Sequence, residues 1–173
     1  LIAPDKFKGS LTADEVCDAV KRGLEPARYD VTTLPLADGG EGTCELLTRL
    51  SGGKKITVQV SGPLFSGLQA EYGISKDGKT AFIEMASASG LQLLKPEERN
   101  PLLTTTLGTG QLIRDALDRG VSKIILGIGG SATNDGGFGL ARSAGWKFLD
   151  QAHREIGQWT GLRSLRTLAE PPT

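Results

Sequence analysis

Histidine, cysteine and methionine are scarce in this chain, and their scarcity limits the chemistry open to it. The 173 residues include one histidine (His153), two cysteines and one methionine. Zinc sites take most of their ligands from cysteine and histidine, and Cys17 and Cys44 stand alone without metal-ligand spacing. A Cys/His metal site is therefore excluded. Two isolated cysteines also favour a reducing compartment, so we expect a cytoplasmic protein.

The chain also lacks an excess of either charge and any long apolar run. Twenty acidic and 20 basic residues give a formal net charge of zero, so no net field favours nucleic acid or an anionic membrane. No apolar run approaches the ~20 residues that a membrane-spanning helix needs. The sequence therefore predicts neither nucleic-acid nor membrane partners.

Glycine, in contrast, is abundant at 24 residues. Its densest stretch follows Lys123-Ile124-Ile125-Leu126, a β-branched apolar run that predicts a buried strand. A helix is predicted over 140–144, and the loop between contains glycines at 127, 129, 130, 136, 137 and 139 with Ser131, Thr133, Asn134 and Asp135 among them. Such a loop can bind phosphate, because glycine lets the backbone approach an anion and free N–H groups at a helix start point at it. The alternative is a tight turn of small residues for close packing.

Two similar strand–loop–helix units precede this stretch in the first fifty residues. A strand at 1–3 leads through the loop 4–10 to a helix capped by Ser10 or Thr12, and a strand at 31–36 leads through the loop 37–43 to a helix at 45–50. This alternation predicts an α/β fold with a parallel sheet in Rossmann-like α/β/α layers. Because such sheets bind ligands at the carboxyl ends of their strands, both loops are predicted binding loops.

Residues 73–80, GISKDGKT, match the P-loop pattern G-x-x-x-x-G-K-T. A true P-loop needs a strand before it and a helix that begins at Lys-Thr. The residues from Thr80 to Glu84 instead have an extended pattern, and Asp77-Gly78 predicts a hairpin turn. The match is therefore interpreted as a coincidence.

Residues 127–132, GIGGSA, fit the dinucleotide fingerprint G-x-G-x-x-A, and Asp150 lies about twenty residues further on, where a ribose-binding carboxylate belongs. The fingerprint's helix should begin beside the second glycine, but residues 133–137 prolong the loop. They also place Asp135 where a pyrophosphate would lie, and a carboxylate beside phosphate is repulsive unless a cation separates the two. A nucleoside triphosphate with Mg²⁺ is favoured, and an NAD(P)-binding oxidoreductase stays as the alternative.

Several long segments then resemble one known family, the bacterial glycerate kinases of type 1. They are APDKFKGSLTADEV, LADGGEGT, DGKTAFIEMASASGL, RNPL with GTGQLI, and IILGIGGSATNDGG, and they cover nearly everything from Ile2 to about Asp150. The resemblance implies ATP- and Mg²⁺-dependent phosphorylation of D-glycerate, most often to 2-phosphoglycerate, in a cleft between two α/β domains. It assigns residues 1–60 to the first domain and 61–173 to an incomplete second domain.

The chain departs from this family in two respects. Family members usually have a glycine-rich run where residues 157–161 stand here, and they are more than twice as long. We therefore expect the N-terminal part of such an enzyme, inactive alone, and we leave a homo-oligomer open for its complete form. A non-catalytic remnant that binds a nucleotide or anion is the third hypothesis.

The resemblance and the chemistry of phosphoryl transfer together predict the site residues. Asp38, Lys8 and Asp135 are the predicted catalytic residues, and Asp38 and Asp135 are also the predicted Mg²⁺ ligands. Lys8 is preferred to Lys6 because the family keeps a basic residue there. ATP is predicted to contact Gly129, Gly130, Ser131, Thr133, Asn134 and Gly136, and D-glycerate to contact Asp5, Ser10, Ser87 and Ser89. The alternatives are a helix-capping role for Asp38, a solvated surface role for the lysines and a packing role for the serines.

Overall fold

The computed structural model describes residues 1–171; positions 172–173, the end of the second predicted domain, lie outside the described residues. Within 1–171 the α-helices are α1 (Ala13–Leu24), α2 (Thr43–Leu50), α3 (Ala86–Ser89), α4 (Leu107–Asp118) and α5 (Phe138–Ser143). The strands are β1 (Lys54–Ser61), β2 (Gly67–Ile74), β3 (Thr80–Glu84), β4 (Lys123–Gly127), β5 (Lys147–Leu149) and β6 (Thr167–Ala169). Short 3-10 turns lie at Glu25–Ala27, Leu91–Leu93, Pro96–Glu98 and Trp159–Ser164.

Four strands form one mixed sheet in the order β1-β2-β3-β4, and β5 and β6 form a separate antiparallel pair. The β1–β2–β3 meander is antiparallel, whereas β3 and β4 run parallel. The α/β class is confirmed. Parallel pairing in the described sheets is limited to β3 and β4, because residues 54–84 fold as hairpins rather than as strand–helix–strand units.

Helices α2 and α4 pack on opposite faces of this sheet. Neighbouring residues of a strand point to opposite faces, and the hydroxyl of Tyr72 donates to Asp115 of α4 at 2.7 Å. The adjacent Gly73 lies against Thr48 of α2 so closely that no side chain fits there. The result is the predicted α/β/α layering, with α4 covering the main core.

Two short extended segments in the first fifty residues pair in parallel with each other. Ile2 donates to the carbonyl of Thr32 and accepts from Leu34, both at 2.8 Å, and Pro4 accepts from Leu36 at 2.9 Å. Thr12, one of the two predicted caps, begins α1 in a capping box with Glu15. The loops 4–10 and 37–43 therefore follow adjacent extended segments, as the sequence predicts.

The interpretation of residues 73–84 is confirmed, whereas the strand β4 is not buried as predicted, because its residues 123–126 are exposed or half-buried. The predicted turn at Asp77-Gly78 joins β2 to β3, and Thr80 begins a strand, which excludes the P-loop. Helix α4 begins after Thr106. Thr109 is fully buried inside the helix, where its hydroxyl shares a hydrogen bond with Ser89.

The predicted domain boundary at residues 60/61 falls in the last residues of β1, which pairs along its whole length with β2. The division into two domains stays a prediction. Within residues 1–171, none of the helices combines the length and the apolar character that crossing a membrane would require.

Candidate active site

Three segments meet at the carboxyl edge of the parallel strand pair. Glu84, the last residue of β3, is in register with Gly127, the last residue of β4. The backbone of Gly127 in turn lies against Gly39 in the loop 37–43. The strand ends therefore bring together the glycine loop after β4, the loop that carries Asp38 and the turn that follows Glu84.

Glycine is required where the first two of these loops touch. A Cβ atom on Gly127 would lie 2.5 Å from the carbonyl oxygen of Gly39, and one on Gly129 would lie 2.7 Å from Cα of Gly40. The N–H of Gly129 donates to the same Gly39 carbonyl at 3.0 Å. This amide is therefore already hydrogen-bonded within the protein. Gly127 and Gly129 serve the close packing of two loops, which is the alternative that the sequence left open.

The rest of the glycine loop is more open. Asn134 and Gly136 are exposed, and Gly130 and Gly136 have positive φ values of 73° and 61°. Ser131 Oγ accepts from the N–H of Thr133 at 3.2 Å, and Thr133 Oγ1 donates to the carbonyl of Thr104 at 3.1 Å. The loop therefore has a defined internal shape, with exposed residues at 130, 134 and 136.

Asp135 lies in the interior, which corrects the picture of a free metal-binding carboxylate. It is 4% exposed. Its oxygens accept from the N–H and the hydroxyl of Thr106, both at 2.9 Å, and from the N–H groups of Gly137 and Gly139 at 2.9 and 3.1 Å. Carboxylates at helix N-termini satisfy otherwise unpaired donors. Asp135 thus joins the start of α4 to the start of α5.

Asp38 has the opposite environment. Its side chain is exposed, and Oδ1 accepts from the N–H of Gly40 at 2.9 Å. Thr43 Oγ1, rather than Asp38, accepts from the N–H of Gly39 at 3.1 Å. Asp38 thus stabilises its own turn and is exposed in a loop that contacts the glycine loop.

A cleft of about 590 Å³ opens next to these loops, between the segment 5–15 and helix α2. Asp5, Ser10 and Ser87, three of the four predicted substrate residues, line it together with Lys6 and Glu84. The fourth, Ser89, is fully buried, and its hydroxyl is hydrogen-bonded to Thr109 at 2.9 Å. Ser89 therefore packs α3 against α4 rather than facing the cleft.

The two lysines of the first loop occupy different environments. Lys8 is exposed in a reverse turn, where Phe7 and Leu11 pair through their backbones. Lys6 lines the cleft, and its ammonium donates to the carbonyl of Glu41. The sequence preferred Lys8, whereas Lys6 is the lysine of the first loop that lines the cleft.

The sequence interpretation missed Glu84, a carboxylate that is 8% exposed and yet lines the cleft. Its Oε1 accepts from the N–H of Cys44 at 2.6 Å, at the start of α2. Burial raises the pKa of the Glu84 carboxyl, and hydrogen bonding to the backbone of Cys44 and Gly42 and the charge of Lys6 oppose part of that rise. The signal in the sequence that could have found Glu84 was its place at the end of an apolar run that predicts a β-strand.

The geometry after β4 differs from that of a dinucleotide-binding fold. In the dinucleotide-binding fold the helix starts directly at the glycine turn, whereas α5 begins at Phe138, nine residues after Gly129. The carboxylate of Asp150 accepts hydrogen bonds from the backbone N–H and from the side chain of Arg154, both at 3.0 Å. The carboxylate is therefore used in its own turn, and the site is not a dinucleotide fingerprint.

A glycine loop, an exposed aspartate and a neighbouring cleft at parallel strand ends are typical of the α/β proteins that bind ligands at the strand edge. The Glycerate kinase family matches residues 1–171. The chain belongs to this family.

Individual relatives agree with that assignment. The chain is 54% identical over 159 residues to the glycerate kinase of Haemophilus influenzae, covering 91% of this chain and 42% of that protein. It is 50% identical over 170 residues to the glycerate 2-kinase of Escherichia coli, covering 97% and 44%. A crystal structure of a candidate glycerate kinase 2 from Salmonella typhimurium LT2 superposes with a TM-score of 0.83 at 49% identity, covering 96% and 46%. The chain spans less than half the length of these relatives.

Proposed function

We propose that the complete protein carrying this sequence transfers the γ-phosphoryl group of ATP to a hydroxyl of D-glycerate, giving 2-phosphoglycerate. Membership of the glycerate kinase family and the names of the similar proteins support this proposal. The observation that carries it is the direct contact of the loop 37–43 with the glycine loop after β4, beside the cleft that Lys6 and Glu84 line. Donor and acceptor must meet in such a place for the reaction to occur.

Phosphoryl transfer asks the protein mainly to position two substrates in line and to stabilise negative charge. We assign the ATP phosphates to the exposed part of the glycine loop, with Gly130, Ser131, Asn134 and Gly136 nearest to them. Gly129 and Thr133 shape that loop through their contacts with Gly39 and Thr104. D-Glycerate is assigned to the cleft, where Asp5, Ser10 and Ser87 offer hydrogen-bonding groups.

Asp38 fits a Mg²⁺ site better than Asp135 does. Mg²⁺ in kinases is commonly held by one or two carboxylates together with substrate phosphates and water. Asp38 supplies one exposed carboxylate beside the glycine loop, whereas all-protein groups of three or more acidic, histidine or cysteine ligands do not occur within residues 1–171. Bound there, Mg²⁺ would neutralise phosphate charge; Asp135 would instead hold the loop in shape.

The cationic role on the first loop remains divided between Lys8 and Lys6. Lys8 carries the family's basic position but is exposed in this structure, whereas Lys6 lines the cleft. We keep Lys8 as the residue that contacts phosphate and assign Lys6 to the glycerate carboxylate. Separate kinetic constants for ATP and glycerate in the two alanine variants would test this division.

We also propose a cytoplasmic location, because both cysteines are free thiols and ATP is the proposed donor. A homo-oligomer of the complete protein is a further expectation, and light scattering of the purified protein tests it. For the isolated 173-residue chain we expect no turnover, since it spans less than half of its relatives. Glycerate phosphorylation by this chain at a normal enzymatic rate would contradict that expectation.

Thermal unfolding with different nucleotides tests the proposal against its alternatives. A ligand that binds only the folded state stabilises it by about 2.7 kcal/mol at a hundred times its Kd. We expect ATP with Mg²⁺ to raise the Tm of the complete protein and NADH to leave it unchanged. The reverse pattern would favour the oxidoreductase, and ATP binding without glycerate-dependent ADP release would favour the non-catalytic remnant.

A further inference from the structure

Glu84 occupies the position in this fold where a ligand-binding carboxylate is most effective. It ends β3 at the carboxyl edge of the parallel pair, directly beside Gly127. Parallel sheets bind their ligands outside this edge. Although only 8% exposed, the residue belongs to the wall of the cleft.

The surroundings of Glu84 hold it in place and offset part of the effect of its burial on the carboxylate. The N–H of Cys44 donates to Oε1 at 2.6 Å, and the positive end of the α2 dipole adds to this stabilisation. The charged side chains that face it are Lys6, which favours the carboxylate, and Glu41, which opposes it. The thiol of Cys44 lies on the same helix and donates to the carbonyl of Phe82 at 3.1 Å.

The other acidic side chains that line the cleft are half-buried or exposed, and three of them form ion pairs. Glu45 and Glu71 lie 3.2 and 3.7 Å from the ammonium of Lys55, and their side chains are 70% and 53% exposed. Asp14 is 51% exposed and pairs with Arg49 at 2.8 Å. Glu84 is therefore the buried carboxylate among the described cleft residues.

We propose that Glu84 is the catalytic base that accepts the proton of the glycerate hydroxyl, an inference that rests on the proposed function. In this step the O–H bond of the hydroxyl breaks and its proton passes to the Glu84 carboxylate. The hydroxyl oxygen forms a bond to the γ-phosphorus while the bond from that phosphorus to the bridging oxygen breaks, which leaves ADP. The proton then leaves through the cleft, and Asp38 serves the phosphate side of the reaction.

The environment of Glu84 suits this task. A general base works best when its pKa lies close to the working pH. Burial raises the pKa of Glu84 toward that range, while Lys6 and the Cys44 amide keep the ionised form available. Activity should therefore fall as the pH drops through the pKa of Glu84, because the protonated carboxyl cannot accept a proton.

The test is Glu84→Gln in the complete protein. The amide oxygen of glutamine can still accept from the N–H of Cys44, so the variant retains the main fixed contact of the side chain. We expect kcat to fall by a factor of about 100 or more, with the KM values for glycerate and for ATP within about threefold of wild type. The decrease of kcat at low pH should disappear. The matched control is Glu71→Gln, an exposed carboxylate of the same cleft, which should keep kcat within about twofold.

A second variant, Glu84→Asp, keeps the carboxylate and separates chemistry from folding. We expect it to retain the decrease of kcat at low pH and to be at least tenfold more active than Glu84→Gln. Near wild-type kcat in Glu84→Gln would overturn the inference, as would equal losses in both variants accompanied by an equal fall in Tm. If the wild-type protein releases no ADP in response to glycerate, the proposed function itself fails and the inference falls with it.

Discussion

The N–H of Gly129 donates to the carbonyl oxygen of Gly39 at 3.0 Å, which ties the glycine loop after β4 to the loop that carries Asp38. The two residues are 90 positions apart in the chain, yet their backbones are in direct contact. This contact fixes where the proposed ATP loop lies relative to the proposed metal-side carboxylate. Any change that separates the two loops should therefore affect both stability and activity.

Gly129→Ala should destabilise the protein because the new Cβ would lie 2.7 Å from Cα and 2.9 Å from N of Gly40. Neither partner is a flexible side-chain end, so we expect a cost of about 1–3 kcal/mol. The matched control is Gly23→Ala in α1, where a Cβ would contact nothing within 4 Å. That change should leave stability the same or raise it by up to about 1 kcal/mol. Thermal unfolding measures both, and equal Tm values would contradict the described loop contact.

Asp135→Ala should lower the free energy of unfolding without changing the Mg²⁺ requirement. The substitution leaves the buried donors of Thr106 and Gly139 and the part-buried N–H of Gly137 unpaired, and each buried group costs about 1–3 kcal/mol. Denaturant unfolding with and without Mg²⁺, and activity as a function of Mg²⁺ in the complete protein, give the two readouts. A raised Mg²⁺ requirement at unchanged stability would restore Asp135 as a metal ligand.

Asp38→Asn should raise the Mg²⁺ requirement and leave the free energy of unfolding nearly unchanged. Because Oδ1 accepts from Gly40 and an amide oxygen can replace it, stability should change by less than about 1 kcal/mol. The loss of charge should raise the Mg²⁺ concentration needed for half-maximal activity by roughly tenfold, about 1.4 kcal/mol. Asp18→Asn on the exposed side of α1 is the control. An unchanged Mg²⁺ titration in Asp38→Asn would remove this residue from the metal side of the reaction.

The stability of the sheet–α4 interface should decrease in acid through Asp115. Hydrogen bonds from Arg119 and Tyr72 lower the pKa of Asp115 below its usual 3.8. The folded state therefore binds the proton less readily than the unfolded state, so this stabilisation is full above pH 3.8 and is lost as the pH falls through the lowered value. Asp115→Asn should flatten the acid side of a Tm-versus-pH curve, which Asp118→Asn on the exposed face should not do. An unchanged acid slope in Asp115→Asn would contradict this coupling.

Local patterns in the sequence were sufficient to predict the helices, strands and turns on which the candidate site depends. The Thr12 capping box, the strand before Gly127 and the turn at Gly78 each follow from a few neighbouring residues. The positions of the loop 37–43 and of the glycine loop after β4 were also predictable, because glycines and polar residues after an apolar run mark strand ends. The meeting of these loops followed from the general rule that parallel strands share one binding edge.

The environments of individual carboxylates could not be predicted, because their partners are distant in sequence. Asp135 becomes a structural residue only through Thr106, 29 positions earlier, and Glu84 joins the cleft only through the position of α2, 40 positions earlier. Ser89 likewise becomes inaccessible through Thr109. Burial depends on which helix covers a strand end, and local residue patterns do not contain that information.

The most direct test of the account is product analysis by ³¹P NMR after the complete protein is mixed with ATP, Mg²⁺ and D-glycerate. We expect one ADP and one 2-phosphoglycerate to form per ATP consumed, and no ADP when glycerate is omitted. ADP release that does not depend on glycerate, or no phosphorylated product with ATP and Mg²⁺ bound, would contradict the proposed phosphoryl transfer at this strand edge.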